Sequence, residues 1–522
     1  MRTDVPRDPA AALRCAFGTI EAQIRAHAAR DARHPALVQD SARLDYGELD
    51  AAMDRVAAAL QRDGVHTRDT IAICAANSID YAVVFLGALR AGVTVAPLSP
   101  SLTADAIASM LNDCGAELLF ADAEAASLLA THAGETSVRC IGIADHARPL
   151  ADWLPATGVR PAPIAVEPDD AFNIIYSSGT TGEPKGIVQP HAMRWAHMQR
   201  GPVYGYAPDA LTLLSTPLYS NTTLVSFFPA LAMGGTVALM AKFDPVAYLQ
   251  CAQDLRVTHT MLVPVQYRRL LDVPDFDRYD LASFRMKLST SAPFAAELKA
   301  EVLARWPGEL VEFYGMTEGG GTCVLRTSEH RDKLHTVGVP GPGHDIRLVD
   351  DSGREVAPGG AGEVVGHSAA MMTGYHRRPE QTAEATWFDA TGKRFIRSGD
   401  IGRFDDDGFL VLLDRKKDVI ISGGFNIYAA DLEAVLRAHA SVAEAAVVGV
   451  ASTRWGETPV AFVVMREPDV DASALLEWAN ARVGRMQRIH EVVSVDALPR
   501  SPIGKVLKRE LRDRYAASRA AR

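Results

Sequence analysis

Thr70-Ile-Ala-Ile-Cys74, then Ala75-Ala-Asn-Ser78, then Ile79-Asp-Tyr-Ala-Val-Val-Phe-Leu-Gly-Ala-Leu-Arg90, then Ala91-Gly-Val-Thr-Val-Ala-Pro97, is the stretch that decides the fold class. The first five residues form a short apolar run and predict a strand. Ser78 is placed to cap an apolar helix that runs to Arg90, Gly92 stops it, and Val93 to Pro97 predicts the next strand. Strand, helix and strand in this order are a β-α-β unit. Upstream, Leu49, Met53, Val56 and Leu60 lie on one face of a helix expected from Tyr46 to Arg62 and ended by Gly64. Downstream the order recurs as a strand at Leu211 to Leu214, a helix at Leu224 to Met233, Gly234-Gly235 and a strand at Thr236 to Met240. The echo predicts two related halves built as α/β layers with mostly parallel sheets.

At 522 residues the chain needs two or more domains, and 48% hydrophobic with 23% charged residues is a globular composition. A net charge of -10 provides no basic face for nucleic acid. The Arg and Lys residues gathered from Lys505 to Arg522 are expected to form a solvated helical tail. Six cysteines, Cys15, Cys74, Cys114, Cys140, Cys251 and Cys323, show no CxxC pair or zinc-like spacing and read as reduced thiols of a cytoplasmic protein. Met1 to Pro9 holds acids and prolines where a signal peptide would begin its apolar run. No residue from Ala210 to Ala241 is charged, which is long enough to cross a bilayer. Pro217, Pro229, Gly234 and Gly235 break that run, so it is expected to be buried core without a transmembrane segment.

Beyond Val337 the pattern turns to short strands with Gly and Pro turns, as in Arg403-Phe-Asp-Asp-Asp-Gly-Phe-Leu-Val-Leu-Leu413. This predicts a small antiparallel, barrel-like section. Asp405 to Gly408 lacks the alternating ligands and distal Glu of a calcium loop and is expected to be a hairpin turn. After Asp414-Arg415-Lys416-Lys417-Asp418 a compact α+β domain is expected, helical at Ala430 to Ala438 and extended at Ala445 to Val450. The boundaries are therefore 1–413, 414–418 and 419–522.

Two glycine-rich runs carry the chemistry. Ser177-Ser178-Gly179-Thr180-Thr181-Gly182-Glu183-Pro184-Lys185-Gly186 has the composition of a loop around phosphate oxygens, since glycines let backbone N–H groups converge while hydroxyls and a lysine add donors. Pro184 before Lys185 and Gly186 after it exclude a Walker A loop. The second run, Pro499-Arg500-Ser501-Pro502-Ile503-Gly504-Lys505, lies near the C-terminus. Between them stand Tyr314-Gly315-Met316-Thr317-Glu318, Ser398-Gly399-Asp400, the charged run from Asp414 to Asp418, and Ser422-Gly423-Gly424-Phe425-Asn426-Ile427. Each alone has a bland reading: a turn, a helix cap, a surface ion pair or an exposed lysine.

In this order the segments resemble the signatures of the adenylate-forming superfamily of acyl- and aryl-CoA synthetases, nonribosomal adenylation domains and luciferase-like enzymes, from about Thr19 to Leu511. The resemblance implies ATP, Mg2+ and coenzyme A as partners of a carboxylic acid, and it is compatible with a homodimer. It places the pyrophosphate on the loop from Ser177 to Lys185, adenine against Tyr314, Gly315, Ala292 and Pro293, Thr317 near the α-phosphate, and magnesium on Glu318. Asp400 and Arg415 would meet the ribose, Lys417 would be the hinge, and Lys505 would offset the repulsion between carboxylate and α-phosphate. By the same resemblance, a mobile C-terminal domain carrying Lys505 would gate the reaction.

Within the superfamily, Pro217-Leu218-Tyr219-Ser220-Asn221-Thr222 lacks the acid that meets an amino group, which argues against an α-amino acid. Ser220 replaces a His common in CoA ligases, Thr290-Ser291 replaces Gly-Gly before Ala292-Pro293, and Ala429 replaces a Pro. Tyr219, Ser220, Asn221 and Gly319-Gly320-Gly321 are expected to edge the acyl pocket, the glycines leaving room, and Gly423, Gly424 and Phe425 to line the CoA channel. The expected function is an AMP-forming ligase joining a fatty or aromatic monocarboxylic acid to coenzyme A. A carrier-protein-loading enzyme and a non-catalytic nucleotide-binding relative are the alternatives.

Overall fold

A computed structural model describes residues 11, 13–130, 138–143, 150–177, 185–422, 425–452, 455–466, 471–484, 487–500, 504 and 506–520. It divides into one compact unit of Met1–Leu334, Pro340–Asp345 and Gly366–Ile396, and another of His335–Val339, Ile346–Val365 and Arg397–Arg522.

The first unit contains two mostly parallel sheets. One runs in the order Arg139–Gly142, Leu118–Ala121, Thr70–Cys74, Thr94–Leu98 and Ala171–Ser177, all parallel, and ends in the antiparallel strands Lys185–Pro190 and Gly374–Tyr375. In the other, Pro35–Gln39, Thr236–Leu239, Leu211–Leu214, His259–Leu262, Met286–Ser289 and Glu309–Tyr314 are parallel neighbours, with Ala42–Asp45 and Cys323–Arg326 antiparallel at the flanks. The two strand-helix-strand units expected from the sequence supply the middle of each sheet. Ser78 caps the helix Ile79–Arg90 by accepting from Tyr81 N at 3.0 Å, and Gly92 takes the left-handed φ of +70° that lets the chain turn into the strand Thr94–Leu98.

Helices fill the main core. The helix Tyr46–Arg62 starts in a capping box between Asp45 and Glu48 and buries Leu49, Met53, Val56 and Leu60 completely, each contributing about 1.5–3 kcal/mol. It packs on Ile79–Arg90 where Gly87 meets Val56 so closely that a Cβ would lie 2.4 Å from that side chain. Buried Arg90 joins the two helices through Asp54 at 2.9 Å and Asp50 at 2.6 Å. The uncharged run after Ala210 becomes strand Leu211–Leu214, helix Asn221–Ala232 and strand Thr236–Leu239. The helix begins three residues earlier than the periodicity predicts because Ser220 caps it. Among the described residues no helix is long and apolar enough to cross a membrane.

Asp345–Val349, Gly362–His367 and Arg394–Phe404, most of whose residues belong to the second unit, lie side by side, with Leu410–Arg415 antiparallel to the last. Asp405 to Gly408 is the hairpin turn between them: Asp405 Oδ1 accepts from Asp407 N and Phe409 N, and Gly408 has a φ of +82°. Among the described residues the strand order is open, so the expected barrel-like section is an open sheet.

A further sheet orders Phe425–Ile427, Ile420–Ser422, Gly456–Met465 and Val442–Ser452, with Glu491–Ser494 parallel to Gly456–Met465. Period-two alternation sends Ala445 and Val447 to a core with Leu432, Leu436 and Leu475, and Ala446 and Val448 to another with Leu511 and Tyr515. The helix Lys508–Ala520 is thus no solvated tail. It buries Leu511 and Tyr515, while Lys508 pairs with Glu433 at 2.9 Å and Arg512 with Asp418.

Candidate active site

In open α/β sheets, ligands bind beyond the carboxyl ends of parallel strands. The predicted residues of the first unit gather in such segments. Leu211–Leu214 leads to Tyr219, Ser220 and Asn221; Met286–Ser289 leads to Ala292 and Pro293; Glu309–Tyr314 leads to Gly315, Thr317 and Glu318; and Ala171–Ser177 leads into the glycine-rich loop. Ser178, Gly179, Thr180, Thr181 and Gly182 lie outside the described residues, as do Gly423, Gly424 and Lys505.

Lys185 and Glu318, assigned to one site from motifs far apart in sequence, are linked by a residue that sequence reading did not select. Tyr375 donates its hydroxyl to Glu318 Oε1 at 2.9 Å, and its ring lies 5.3 Å from Lys185 Nζ. Burial, reinforced by the Glu318 carboxylate, pushes the Tyr375 phenol far above its ordinary value, so it remains a donor. Gly374–Tyr375 pairs antiparallel with Lys185–Pro190, which brings Tyr375 to Lys185, while Met372 N donates to Glu318 O at 2.8 Å and Gly319 bridges Met371, which brings Tyr375 to Glu318 57 residues away. One hydrogen bond occupies one of the two Glu318 carboxylate oxygens. The chemistry of this donor set fits magnesium, which takes one or two carboxylates together with substrate phosphates.

The glycine run does not leave room at two of its positions. A Cβ at Gly319 would lie 2.1 Å from Ala370 O, and one at Gly320 2.6 Å from Gly366 O. Both have left-handed φ, +76° and +93°, and Gly320 N donates to Ala370 O at 2.9 Å. These glycines permit close approach of two backbones and hold Glu318 in place.

Ser220 spends its hydroxyl on the helix cap, accepting from Thr222 N at 3.3 Å. Asn221 Oδ1 accepts from Gln189 at 3.3 Å, and Gln189 also donates to the Thr317 carbonyl at 2.6 Å. Behind Gln189 the fully buried Arg194 donates to Asn173 Oδ1 at 3.0 Å and lies against the rings of Phe172 and Phe228, 5.8 Å from each. Burial lowers Arg194 to about 9. Ser291, where the family pattern has Gly, adopts a φ of +81° and shares a short hydrogen bond with Thr222. That bond compensates a backbone conformation that costs a non-glycine residue about 1–2 kcal/mol.

In the second unit, Asp400 and Arg415 are cross-strand partners, joined by Arg415 Nε to Asp400 Oδ1 at 2.8 Å. The two residues assigned to the ribose therefore form one group. The charged run 414–418 is anchored within this unit: Asp414 accepts from Ala429 N at 2.5 Å, Lys416 pairs with Glu363 at 3.2 Å, and Asp418 pairs with Arg512. Burial lowers Lys417, with Arg415 and Arg512 adding to the effect.

This fold, with these segments beyond the strand ends, defines an adenylate-forming enzyme. A family model for AMP-binding enzymes matches residues 24–376, and one for the AMP-binding enzyme C-terminal domain matches residues 431–505. A feruloyl-CoA synthase of Amycolatopsis sp is 34% identical over 90% of this chain and 94% of its own length. The long-chain-fatty-acid–CoA ligase FadD13 of Mycobacterium tuberculosis is 32% identical over 91% and 94%. The crystal structure of ATP-bound MatB from Rhodopseudomonas palustris superposes with a TM-score of 0.85 at 28% identity, covering 95% of this chain and 99% of that one. The chain belongs to the AMP-binding enzyme family, among its AMP-forming acyl-CoA synthetases.

Proposed function

We propose that the chain joins a fatty or aromatic monocarboxylic acid to coenzyme A in two steps. In the first, a carboxylate oxygen attacks the α-phosphorus of ATP, the bond to the β-phosphate bridge breaks, and pyrophosphate leaves. In the second, the thiolate sulfur of coenzyme A attacks the acyl carbon and AMP departs with its oxygen. The association of Lys185, Tyr375 and Glu318 carries this reading, because it joins the phosphate-loop lysine to the carboxylate assigned to magnesium. Bound magnesium would neutralise phosphate charge.

The chain's own residues do the positioning. Lys185 and the loop from Ser177 bind the leaving phosphates, Tyr314 with Ala292 and Pro293 binds adenine, and Thr317 meets the α-phosphate. Asp400, oriented by Arg415, accepts from the ribose hydroxyls. Lys505 contributes an ammonium between the two anions as they approach, and rotation about Lys417 exchanges it for the channel at Gly423, Gly424 and Phe425. Tyr219, Asn221 and Gly321 edge the acid, with Ser220 fixing the helix beneath them. The free thiols among the described residues suit a reducing, cytoplasmic setting.

Acid-dependent exchange of pyrophosphate into ATP, compared between the natural protein and Lys505→Ala, tests the first step. Exchange with fatty or aromatic acids that falls at least about a hundredfold in the variant supports the reading. Exchange confined to dicarboxylates or acetate would overturn the acid assignment, and equal rates in both proteins would overturn the lysine's role.

A further inference from the structure

One buried polar group outside the motifs touches two of the segments assigned to the reaction. Gln189 stands in the strand Lys185–Pro190 with no accessible surface. Its Oε1 accepts from Asn173 Nδ2 at 2.9 Å and from Arg194 Nη2, and its Nε2 donates to Thr317 O at 2.6 Å and Asn221 Oδ1 at 3.3 Å. Both donors and both acceptor sites of the amide are thereby used. A guanidinium can only donate and a peptide carbonyl can only accept, so the amide has a single satisfactory orientation.

We propose that Gln189 is a positioning residue that holds Thr317, on the adenylate side, and Asn221, on the acid side, in fixed register. Stability alone does not account for it. A satisfied buried polar group can be exchanged for an apolar one at little cost when its partners are exchanged too, so what this amide adds is orientation. It fixes a carbonyl 128 residues away and a side chain 32 residues away. The bond to Asn221 uses that residue's carbonyl oxygen, so its amide N–H groups are the donors offered to an oxygen of the acid. The assignment rests on the ligase reading for the roles of Thr317 and Asn221.

Two variants of the full chain test it. Gln189→Glu keeps acceptors for Arg194 and Asn173 but sets a carboxylate against the Thr317 carbonyl. The double variant Gln189→Leu/Arg194→Met replaces the group and its charged partner with apolar side chains. Three quantities are measured: the melting temperature without ligand, the affinity for ATP with magnesium by calorimetry, and acid-dependent pyrophosphate exchange. Gln189→Glu should melt within about 2 °C of the natural protein while ATP affinity and exchange kcat each fall at least about tenfold, the effect of losing the two hydrogen bonds that the amide donates to Thr317 and Asn221. The double variant should show the same functional losses and stands in if Gln189→Glu does not fold. Natural affinity and kcat in either folded variant would overturn the proposal. Should the natural protein bind ATP yet activate no acid, the ligase reading fails and the ATP affinity ratio alone decides the role of Gln189. Absence of ATP binding by the natural protein overturns both.

Discussion

Replacing Gly319 by alanine should damage the segment carrying Thr317 and Glu318 far more than the same change at Gly343, although the two backbones are alike. Their φ angles are +76° and +77°, so left-handed strain of about 1–2 kcal/mol applies to alanine at both. The surroundings differ. A Cβ on Gly343 meets nothing within 4 Å, whereas one on Gly319 would lie 2.1 Å from Ala370 O and 3.0 Å from Met193 Cε. Because an ordinary C···O approach is about 3.3 Å, the backbones at 319 and 370 must part by about 1 Å. That movement breaks the bonds from Gly320 N to Ala370 O, 2.9 Å, and from Met372 N to Glu318 O, 2.8 Å. At about 1 kcal/mol each, Gly319→Ala should be about 2 kcal/mol less stable than Gly343→Ala. Denaturant unfolding measures the difference, and pyrophosphate exchange should fall at least about tenfold only in Gly319→Ala, because Glu318 is displaced with its neighbour. Equal losses of stability and equal exchange rates in the two variants would refute the close-approach account.

Tyr375→Phe removes the hydroxyl bonded to Glu318, and a charged hydrogen bond of about 1.5–3 kcal/mol predicts a loss of about tenfold or more in exchange rate, with the magnesium concentration needed for half-maximal rate increased. Ser291→Ala keeps the strained φ but loses the bond to Thr222, so its thermal midpoint should fall below that of Ser291→Gly, which relieves the strain; the reverse order would contradict the compensation. Acid should destabilise the protein. Buried His191 and His259 are lowered to about 4 by burial, so between pH 6.5 and 4 the unfolded chain binds protons that the native state does not. The histidine contribution is absent above pH 6.5 and reduces stability as pH falls toward 4, by at most about 3 kcal/mol for each group. A thermal midpoint that is flat or rises as pH drops from 6.5 to 4.5 would contradict that sign.

Regular packing was legible in the sequence because it leaves a local period. Leu49, Met53, Val56 and Leu60 recur along one helical face, and Gly64 and Gly92 mark the ends of elements by their left-handed φ. The motifs from the glycine-rich loop to Asp400 and Arg415 were legible from residue type and order. What remained hidden is contact between distant segments. Tyr375 reaches Lys185 through strand pairing and Glu318 through the backbone bond from Met372 N to Glu318 O, and Gln189 reaches Thr317 across 128 residues; neither leaves a local signal beyond a polar residue in an apolar strand. Gly319 and Gly320 were read as spare volume because sequence cannot distinguish a glycine facing open space from one pressed against another backbone. The basic C-terminal helix read as solvated because its partners Glu433 and Asp418 lie far back in the chain.

The proposed function passes the activated acid to free coenzyme A. Its most direct test is mass-spectrometric detection of acyl-CoA after incubating the natural protein with ATP, magnesium, coenzyme A and a panel of fatty and aromatic acids. Transfer to coenzyme A predicts thioester and AMP in equal amounts for at least one acid, and neither without ATP. Acyl-adenylate that accumulates without thioester in the presence of coenzyme A would contradict it and point to a carrier protein as the acceptor.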